Sequence, residues 1–260
     1  MSIKLSISIV AYKNYDEIKK AISSIENFTS TDLKKEIYII DNSIANESEA
    51  VNFQNYLKGI KGTYYINAND NLGYGKGHNQ ILNRIDSEYH AIINPDILLI
   101  EDSFSKIINW MDSHSEIGMC IPVIIDEKGN IQRVYRKELT VFDLFNRMFL
   151  KELFKKRALI HTMMDQDYTK PFEVPFAQGS FLIIRSELFK KLNGFDENYF
   201  MYVEDADFCK RVNQISKLMY YPDTKVIHQW HKESHKNGKL FKYHLKSIHY
   251  YFKKWGLKII

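Results

Sequence analysis

The chain has 260 residues, of which 45% are hydrophobic and 26% charged, and its formal net charge is +4. This composition is typical of a globular protein and excludes the disordered and fibrous classes, and the length fits one large α/β domain or one domain with an appended subdomain. No segment approaches the roughly 20 apolar residues that span a bilayer. The two cysteines, Cys120 and Cys209, lie far apart and match no metal or redox spacing, which favours a reducing cytoplasm.

Strand-like and helix-like patterns alternate through the first hundred residues. The segments KLSISIV, EIYIID, GTYYINA and HAIIN predict strands, and the last is almost continuously apolar, as a central strand covered on both faces should be. Between them, NYDEIKKAISSIENF, ESEAVNFQNYLKG and GKGHNQILNRI predict helices, the first capped by Asn14 or Asp16 and the second closed by Gly59. This alternation predicts an α/β fold with a mostly parallel central sheet flanked by helices.

The pattern changes after a helix predicted near residues 103–113. GMCIPVIIDEKGNIQRVYRK predicts two strands around a turn, and FAQGSFLIIRSELFKKLNGF predicts a strand followed by a short helix capped by Ser186 and stopped by Gly194. Between these segments, residues 141–160 place apolar side chains on one stripe and basic ones elsewhere, which predicts one amphipathic helix. No repeat or flexible linker interrupts the chain, so we expect one continuous domain with a C-terminal extension.

The basic charge is concentrated at the C-terminus. Residues 225–260 hold nine lysines and one acid and carry +8, which leaves −4 for the other 224 residues. Aromatic residues interleave with the lysines of KLFKYHLKSIHYYFKKWGLKII, a pattern that suits an anionic membrane face or single-stranded nucleic acid. A helix packed on the core with solvated lysines explains the pattern as well as membrane contact does, and the acidic body disfavours nucleic acid.

Polar residues collect where the predicted strands end. Ala11 and Tyr12 follow the first strand, Asp41 the second, NANDNLGYGKGHN the third and NPD the fourth. In open α/β sheets, ligands bind beyond the carboxyl ends of the strands. One ligand could therefore touch all four segments.

Three glycines, Gly73, Gly75 and Gly77, lead into the third predicted helix. Such a run suits a close backbone approach to a phosphate at a helix N-terminus, or it is an ordinary flexible turn. The dinucleotide fingerprint requires GxGxxG after the first strand, and the P-loop pattern is absent, so neither of those motifs is present.

Asp96 and His228 are candidate metal ligands. Pro95 stiffens the turn that presents Asp96, and a carboxylate there can hold Mg2+ or Mn2+ while the ion also binds a diphosphate. A single aspartate at a strand end is more often a turn or helix cap, and any one histidine in a tail that contains five is more often structural.

The stretch NYFMYVEDADFCKR places Glu204, Asp205 and Asp207 directly behind a mostly aromatic and apolar segment. Acids in the first turn of a helix are ordinary, because the exposed N–H groups and the helix dipole favour negative charge there. An acid against an apolar wall can instead act as a base, because desolvation raises its pKa. For Asp207, the spacing to Arg211 predicts an ion pair that organises the helix.

Taken in order, these segments resemble a known family. SISIVAYKN, YIIDNS, NDNLGYGKGHNQ, IINPD, FAQGSFLIIRSELFKKLNGFDENYFMYVEDADFCKRV and YYPDTKVIHQWHKES are similar to the family 2 glycosyltransferases with the GT-A fold, especially their rhamnosyltransferase-like branch. The resemblance covers residues 3–235. It implies a GT-A domain over 1–235, with a nucleotide-binding half (1–100) and an acceptor or catalytic half (101–235), followed by a basic aromatic helical extension over 236–260.

The resemblance also implies roles for individual residues. Asp205 matches the catalytic base of an inverting transfer, and Asp96 and His228 match ligands for Mg2+ or Mn2+. Asn94 stands where the family has the first acid of its DxD motif, which leaves one carboxylate fewer. The residues implied to bind the donor are Ala11, Tyr12, Asp41, Asn71, Gly73, Asn79, Asn94 and Asp96. The residues implied to contact the sugar or acceptor are Gln178, Gly179 and Glu204.

The implied activity is the inverting transfer of a sugar to a hydroxyl of a glycan, or of a lipid-linked glycan, in bacterial surface polysaccharide synthesis. On the branch resemblance the donor is dTDP-L-rhamnose; UDP-hexose, UDP-N-acetylhexosamine and UDP-galactofuranose remain alternatives. A non-catalytic module that binds a glycan or a nucleotide sugar is a different alternative. The expected location is cytoplasmic, or peripheral on the inner face of the cell membrane through the basic helix, with no nucleic acid partner.

Overall fold

A computed structural model describes residues 2–43, 47–149, 153–229 and 238–260. Part of the predicted basic tail, residues 230–237, lies outside the described residues. The strands are β1 (Ile3–Ala11), β2 (Lys35–Asp41), β3 (Thr63–Asn67), β4 (Ser87–Ile93), β5 (Ile97–Leu99), β6 (Ile117–Ile125), β7 (Tyr135–Arg136), β8 (Phe172–Glu173), β9 (Phe176–Ala177), β10 (Phe181–Arg185) and β11 (Lys217–His228). The helices are α1 (Tyr15–Phe28), α2 (Glu47–Lys58), α3 (Tyr74–Asn79), α4 (Ser103–Asp112), α5 (Val141–Phe149), α6 (Lys155–His161), α7 (Ser186–Lys191), α8 (Glu204–Asn213) and α9 (Gly238–Trp255).

One twisted sheet forms the centre of the molecule, with strand order β3-β2-β1-β4-β10-β6-β11-β5 and β8 added beside β11. Strands β3, β2, β1 and β4 run parallel, as predicted, because a helix carries the chain back after each strand. Leu5, Ile7 and Ile9 of β1 are fully buried, as expected for a strand in the middle of the sheet. The carboxyl ends of these four strands therefore meet at one edge.

The second half of the sheet is mixed. β10 lies antiparallel between β4 and β6, while β11 runs parallel to β6 and antiparallel to β5. Strand β5 is not predictable from the sequence, because three apolar residues after a turn have no period that distinguishes a strand. Its pairing places His228 opposite Ile97, next to Asp96.

The two strands predicted on either side of the DEKGN turn are present as β6 and β7, and they belong to different sheets. Ile131 makes an isolated bridge to Ile125, but β7 pairs with β9 in a separate two-stranded sheet. Gln178 N–H then donates to the carbonyl of Val134 at 2.9 Å. The chain after the turn thus leaves β6 and lines the segment that leads to Gly179.

The prediction of a single helix over residues 141–160 is wrong. The structure has two helices, α5 and α6, with a turn at 153–154 before α6 and residues 150–152 outside the described part. The rings of Phe142 and Phe154 pack edge to face at 5.3 Å. Because the apolar period runs through both helices, periodicity alone does not reveal the break.

The C-terminal helix α9 packs on the body through one face. Tyr251 is buried, Ser247 Oγ donates to the carbonyl of Met201 at 2.8 Å, and the ring centre of Tyr243 lies 4.5 Å from that of Phe200. The opposite face is exposed and carries Phe241, Lys242, Leu245, Lys246 and Lys253. The two interpretations of the tail therefore concern different faces of one helix.

A buried chain of hydroxyl and imidazole groups crosses the parallel half of the sheet. His90 Nδ1 lies 2.8 Å from Ser6 Oγ, and its Nε2 lies 3.0 Å from Ser8 Oγ. Ser8 Oγ in turn lies 2.7 Å from His78 Nδ1. Burial lowers the pKa of both imidazoles, that of His90 to about 3, because a charged ring loses its hydration there.

We expect these buried histidines to destabilise the fold as the pH falls. Their folded pKa values are lowered, so below an unfolded pKa of about 6.5 the unfolded chain binds more protons and the free energy of unfolding decreases. Each histidine should remove about 1.4 kcal/mol between pH 7.5 and 5.5. Urea unfolding at these two pH values measures the change.

The matched variants isolate this effect from other titrating groups. His90→Gln should shrink the difference in unfolding free energy between the two pH values by about 1.4 kcal/mol. Exposed His249→Gln should leave that difference unchanged. If both variants show the wild-type difference, His90 does not contribute to the pH dependence.

Candidate active site

The carboxyl ends of β1 and β2 hold the first group of predicted donor residues. Ala11 lies opposite Asp41 in the parallel register, and both are buried. Asp41 Oδ2 accepts hydrogen bonds from the hydroxyls of Tyr15 and Tyr65, each at 2.7 Å. Tyr12 is 50% exposed at the same edge. This edge of the sheet therefore has one exposed aromatic ring, that of Tyr12. It lies beside a buried carboxylate that positions two further tyrosines.

Each of the three glycines packs closely against other parts of the protein. A side-chain carbon at Gly73 would collide with the carbonyl oxygen of Phe200. One at Gly75 would lie 2.7 Å from Phe195 Cβ, and one at Gly77 would lie 2.8 Å from a valine methyl of β1. Real side-chain carbons do not approach so closely, so close packing explains the three glycines without a phosphate.

Asparagine side chains hold this glycine segment in place. Asn79 Nδ2 donates to the carbonyl of Phe195 at 2.9 Å, and its Oδ1 accepts from the N–H of the same residue at 2.9 Å. Asn71 Oδ1 accepts from the N–H of Gly73 at 3.0 Å, and Asn42 Nδ2 donates to the carbonyl of Gly73 at 2.8 Å. These residues fix the backbone that borders the strand ends.

The loop of residues 195–203 brings the chain from this edge to α8. Tyr202 and Val203 have φ angles of 68° and 69°, a left-handed conformation that is strained for a β-branched residue. On one side, the carbonyl of Phe200 accepts from the N–H of Tyr74 at 3.2 Å. On the other side, α9 packs over the loop. The strained turn directs the first residues of α8 back towards the strand ends.

Asp205 lies in the first turn of α8 and is partly exposed. Its Oδ1 accepts from the N–H of Ala206 at 2.9 Å and its Oδ2 from the N–H of Gly179 at 3.2 Å. The Tyr74 hydroxyl donates to the carbonyl of Gly179. Burial raises the pKa of Tyr74 well above its usual value, and the nearby charges of three acids add to this: Glu204, Asp205 and Asp96. The acids from α8 and from the β4 end therefore share one neighbourhood.

The adjacent carboxyls of Glu204 and Asp205 differ in their hydrogen bonds. Burial is the main cause that raises the pKa of both groups, and the charge of Asp205 raises that of Glu204 further. Glu204 Oε2 has no hydrogen-bond partner in the part of the chain that the structure describes, whereas both oxygens of Asp205 accept backbone N–H groups. The backbone N–H groups therefore stabilise the charged form of Asp205, whereas burial and the charge of Asp205 favour the neutral form of Glu204.

Asp207 has a structural environment. It is fully buried, and its Oδ2 accepts from Arg211 Nε at 2.8 Å, which confirms the predicted ion pair. Its Oδ1 accepts from Trp255 Nε1 at 2.8 Å and lies 2.7 Å from Lys254 Nζ. These donors offset the cost of burying the charge and join α8 to α9.

Asp96 and His228 meet where β5 pairs with β11. The Asp96 Oδ1 to His228 Nε2 distance is 3.4 Å, and His228 Nδ1 lies 2.9 Å from Gln132 Oε1, which orients the ring. Asn94 is partly exposed at the same turn, and its N–H donates to the carbonyl of Ser180 at 2.8 Å. One oxygen and one nitrogen ligand fit a divalent cation that also binds a diphosphate. Within the described ranges, no three His, Cys, Asp or Glu side chains could hold a metal by themselves.

Arg136 lies near the candidate base, although the sequence did not mark it as a site residue. It lies on β7 and pairs with Phe176 of β9, which precedes Gln178 by two residues. The positive charge of Arg136 lowers the pKa of Asp205, whereas the larger effect of burial raises it. A two-residue strand has no periodicity that marks it. The available signal was the basic segment RVYRK, whose pattern was interpreted only as a strand.

Comparison with known sequences identifies relatives over most of the chain. The family described as glycosyl transferase family 2 matches residues 6–192. Rhamnosyltransferase WbbL of Escherichia coli (strain K12) is 27% identical over 256 residues, which cover 94% of this chain and 91% of that protein. The N-acetylglucosaminyl-diphospho-decaprenol L-rhamnosyltransferase of Mycobacterium tuberculosis (strain CDC 1551 / Oshkosh) is 26% identical over 193 residues, which cover 69% of this chain and 62% of that protein. These matches confirm the resemblance to the rhamnosyltransferase-like branch.

Solved structures show the same fold. GalNAc-T7 with UDP, GalNAc and Mn2+ aligns with a TM-score of 0.70 at 17% identity, over 89% of this chain and 44% of that chain. The mannosyltransferase PcManGT of Pyrobaculum calidifontis, solved with GDP-Man and Mn2+, aligns with a TM-score of 0.61 at 13% identity, over 90% of this chain and 59% of that chain. Staphylococcus aureus TarS 1-349 with UDP aligns with a TM-score of 0.59 at 14% identity, over 86% and 60%. These neighbours confirm the predicted GT-A fold.

We expect Gly73→Ala to destabilise the protein much more than Gly129→Ala. Both glycines have left-handed φ angles, 80° and 83°, but nothing lies within 4 Å of a side-chain carbon at Gly129. Gly129→Ala should therefore cost only the backbone strain, about 1–2 kcal/mol. Gly73→Ala should cost about 1–3 kcal/mol more, because Phe200 must move. Urea unfolding measures both, and equal losses would show that the close contact does not matter.

Proposed function

The chain belongs to glycosyl transferase family 2, and we propose that it is an inverting enzyme that moves L-rhamnose from dTDP-L-rhamnose to a hydroxyl of a polyprenyl-linked glycan. The observation that carries the proposal is that neighbouring residues hold the two acidic segments: Gly179 N–H binds Asp205, and the carbonyl of Ser180 binds the N–H of Asn94. Asp96 follows two residues after Asn94 and lies beside His228. A base and a cation site at one edge are what transfer from a nucleotide diphosphate requires. The names of two rhamnosyltransferase relatives support the sugar, and one of those names contains a diphospho-decaprenol.

The donor nucleotide would lie across the carboxyl ends of β1 to β4. The exposed ring of Tyr12 offers a face for stacking on the base, beside Ala11 and the tyrosines held by Asp41. Asn71, Gly73 and Asn79 would border the ribose or phosphates through the backbone that they fix. Asn94 and Asp96 would face the diphosphate. An aromatic surface with backbone groups binds thymine and uracil alike. The choice of dTDP is therefore supported by the relatives and not by the site residues.

The transfer itself needs one base on the acceptor side. The acceptor hydroxyl oxygen forms a bond to the anomeric carbon of the donor while Asp205 accepts the hydroxyl proton. The bond from that carbon to the diphosphate oxygen breaks on the opposite face, which inverts the configuration and leaves the electron pair on the nucleotide. The raised pKa of Asp205 favours this role, because a more basic carboxylate accepts a proton more readily.

Asp96 and His228 would hold a divalent cation together with the donor diphosphate. Such a cation, when bound, neutralises negative charge on the leaving diphosphate. The bond from Gln132 keeps the His228 ring oriented, and the rigid turn at Pro95 presents Asp96. With Asn94 in place of a second acid, the protein supplies little negative charge, so we expect the cation to bind chiefly as a complex with the nucleotide.

The acceptor sugar would lie on the wall formed by Gln178, Gly179 and Glu204. The N–H of Gly179 holds Asp205, so this wall and the base are fixed to each other. In its neutral form, which burial favours, Glu204 would add no second negative charge and would donate a hydrogen bond to a sugar oxygen.

We also propose that the enzyme works peripherally at the inner face of a bacterial membrane. No helix among the described residues is both long enough and apolar enough to span a bilayer. The exposed face of α9 combines Phe241 and Leu245 with lysines, which suits anionic headgroups. A lipid-linked acceptor would be met at that surface.

Another nucleotide-sugar donor within the same family is the nearest alternative. A module that binds glycans without transferring them would retain the fold but not require a base. The raised pKa of Asp205 favours an enzyme over such a module.

Asp205→Asn should reduce transfer to a small residual rate, because an amide cannot accept the hydroxyl proton. Loss of the base should lower the rate by about 10²–10⁴-fold. The measurement is release of dTDP from dTDP-L-rhamnose with a synthetic N-acetylglucosaminyl-diphospho-polyprenol acceptor. Exposed Asp32→Asn serves as the control and should keep wild-type activity. Full activity of Asp205→Asn would exclude Asp205 as the base.

Asp96→Ala should remove the metal-dependent part of nucleotide binding. A ligand present at 100 times its dissociation constant stabilises the fold by about 2.7 kcal/mol, which appears as a higher melting temperature. We expect dTDP with Mn2+ to raise the melting temperature of wild type and Asp205→Asn. In both proteins, a chelator should reduce this rise in melting temperature. In Asp96→Ala, the rise caused by dTDP should be equally small with and without Mn2+. A wild-type shift that is the same with chelator would contradict the cation site.

A further inference from the structure

A groove of about 620 Å³ lies between α6 and the C-terminal residues. This volume is within the range of about 300–1,000 Å³ that holds a small ligand. Its apolar lining is exposed to solvent: Leu153 by 72%, Ile160 by 42% and Ile260 by 72%. Its charged lining contains five lysines and arginines but two acids. The groove therefore matches a ligand that is both apolar and negatively charged.

The two acids of the groove are paired with cations. Asp143 accepts from Arg157 Nε at 2.7 Å and from Arg157 Nη2 at 3.1 Å. Glu138 lies 2.6 Å from Lys258 Nζ and 3.0 Å from Lys210 Nζ. With five lysines and arginines against two acids, the lining of the groove carries an excess of positive charge.

The groove is connected to the candidate active site through β7. Lys137 lines the groove, and its N–H donates to the carbonyl of His161 at the end of α6 at 2.8 Å. The preceding residue, Arg136, is close enough to Asp205 to act on its charge. Adjacent residues of a chain have Cα atoms about 3.8 Å apart. Two consecutive cations, Arg136 near Asp205 and Lys137 at the groove, therefore mark a path from the base to the groove.

The geometry points to this path as the binding site for an isoprenoid diphosphate, the lipid part of the acceptor, with the diphosphate at Arg136 and Lys137 and the isoprenoid chain in the groove. A sugar attached to that diphosphate then lies beside Asp205. Guanidinium groups bind phosphate oxygens with two parallel hydrogen bonds, and the groove removes apolar chain from water. This inference rests on the proposed transfer to a lipid-linked acceptor.

Farnesyl diphosphate, farnesol and inorganic pyrophosphate are suitable probes, with affinities measured by calorimetry on the full chain at fixed ionic strength. Arg136→Gln should weaken the binding of farnesyl diphosphate about tenfold, because it removes a charged contact to phosphate. The affinity for farnesol should not change. Ile160→Ser should weaken the binding of both farnesyl diphosphate and farnesol about tenfold and leave the affinity for pyrophosphate unchanged. Leu257→Ser and Lys253→Gln are controls, because both residues are exposed but do not line the groove, and neither should change any affinity.

The same variants separate this inference from the proposed function. If dTDP with Mn2+ still raises the melting temperature but Arg136→Gln and Ile160→Ser bind farnesyl diphosphate as wild type does, the acceptor path is wrong and the transferase proposal stands. The same holds if wild type does not bind farnesyl diphosphate. If Ile160→Ser loses binding to phosphatidylglycerol vesicles but keeps its affinity for farnesyl diphosphate, the groove is a bilayer contact, which also overturns the inference.

Discussion

The contact between the glycine segment and the 195–203 loop is the constraint on which the candidate site depends. The loop backbone lies against Gly73 because that residue has no side chain, and Tyr74 and Asn79 then bind loop backbone groups directly. The parallel half of the sheet ends at the glycine segment, and α8 begins where the loop ends. This one contact therefore sets the position of Asp205 relative to the strand ends where a donor would bind.

The three acids at the start of α8 show how burial and partners together decide chemistry. Glu204 is buried with one oxygen that has no hydrogen-bond partner among the described residues, so its neutral form is favoured. Asp205 is held by two backbone N–H groups and stays charged, with a raised pKa. Asp207 is surrounded by donors from α8 and α9 and serves packing. Residues of the same type in one helical turn thus acquire different properties.

Helix α9 connects this chemistry to the surface of the molecule. Its inner face packs on the 195–203 loop through Ser247 and Tyr243. Near its C-terminal end, Trp255 donates a hydrogen bond to Asp207. The residues after it supply carbonyl groups to the N-terminus of α5, beside the groove. A lipid-linked substrate would approach the base between these elements, so the basic tail would serve both the packing of the site and its access.

Local sequence determined the first half of the fold and the identity of the candidate base. The alternation of strand and helix periods predicted β1 to β4 and their parallel order, because each period reports which face of one element is buried. The ED segment and the strand-end residues were recognisable because their order along the chain matches a family. Only the tertiary structure decided the rest. It joined Asp96 to His228, turned the 141–160 segment into two helices, gave the glycines a packing role and brought Arg136 towards Asp205. These features depend on contacts between residues far apart in the chain, and no local period records such contacts.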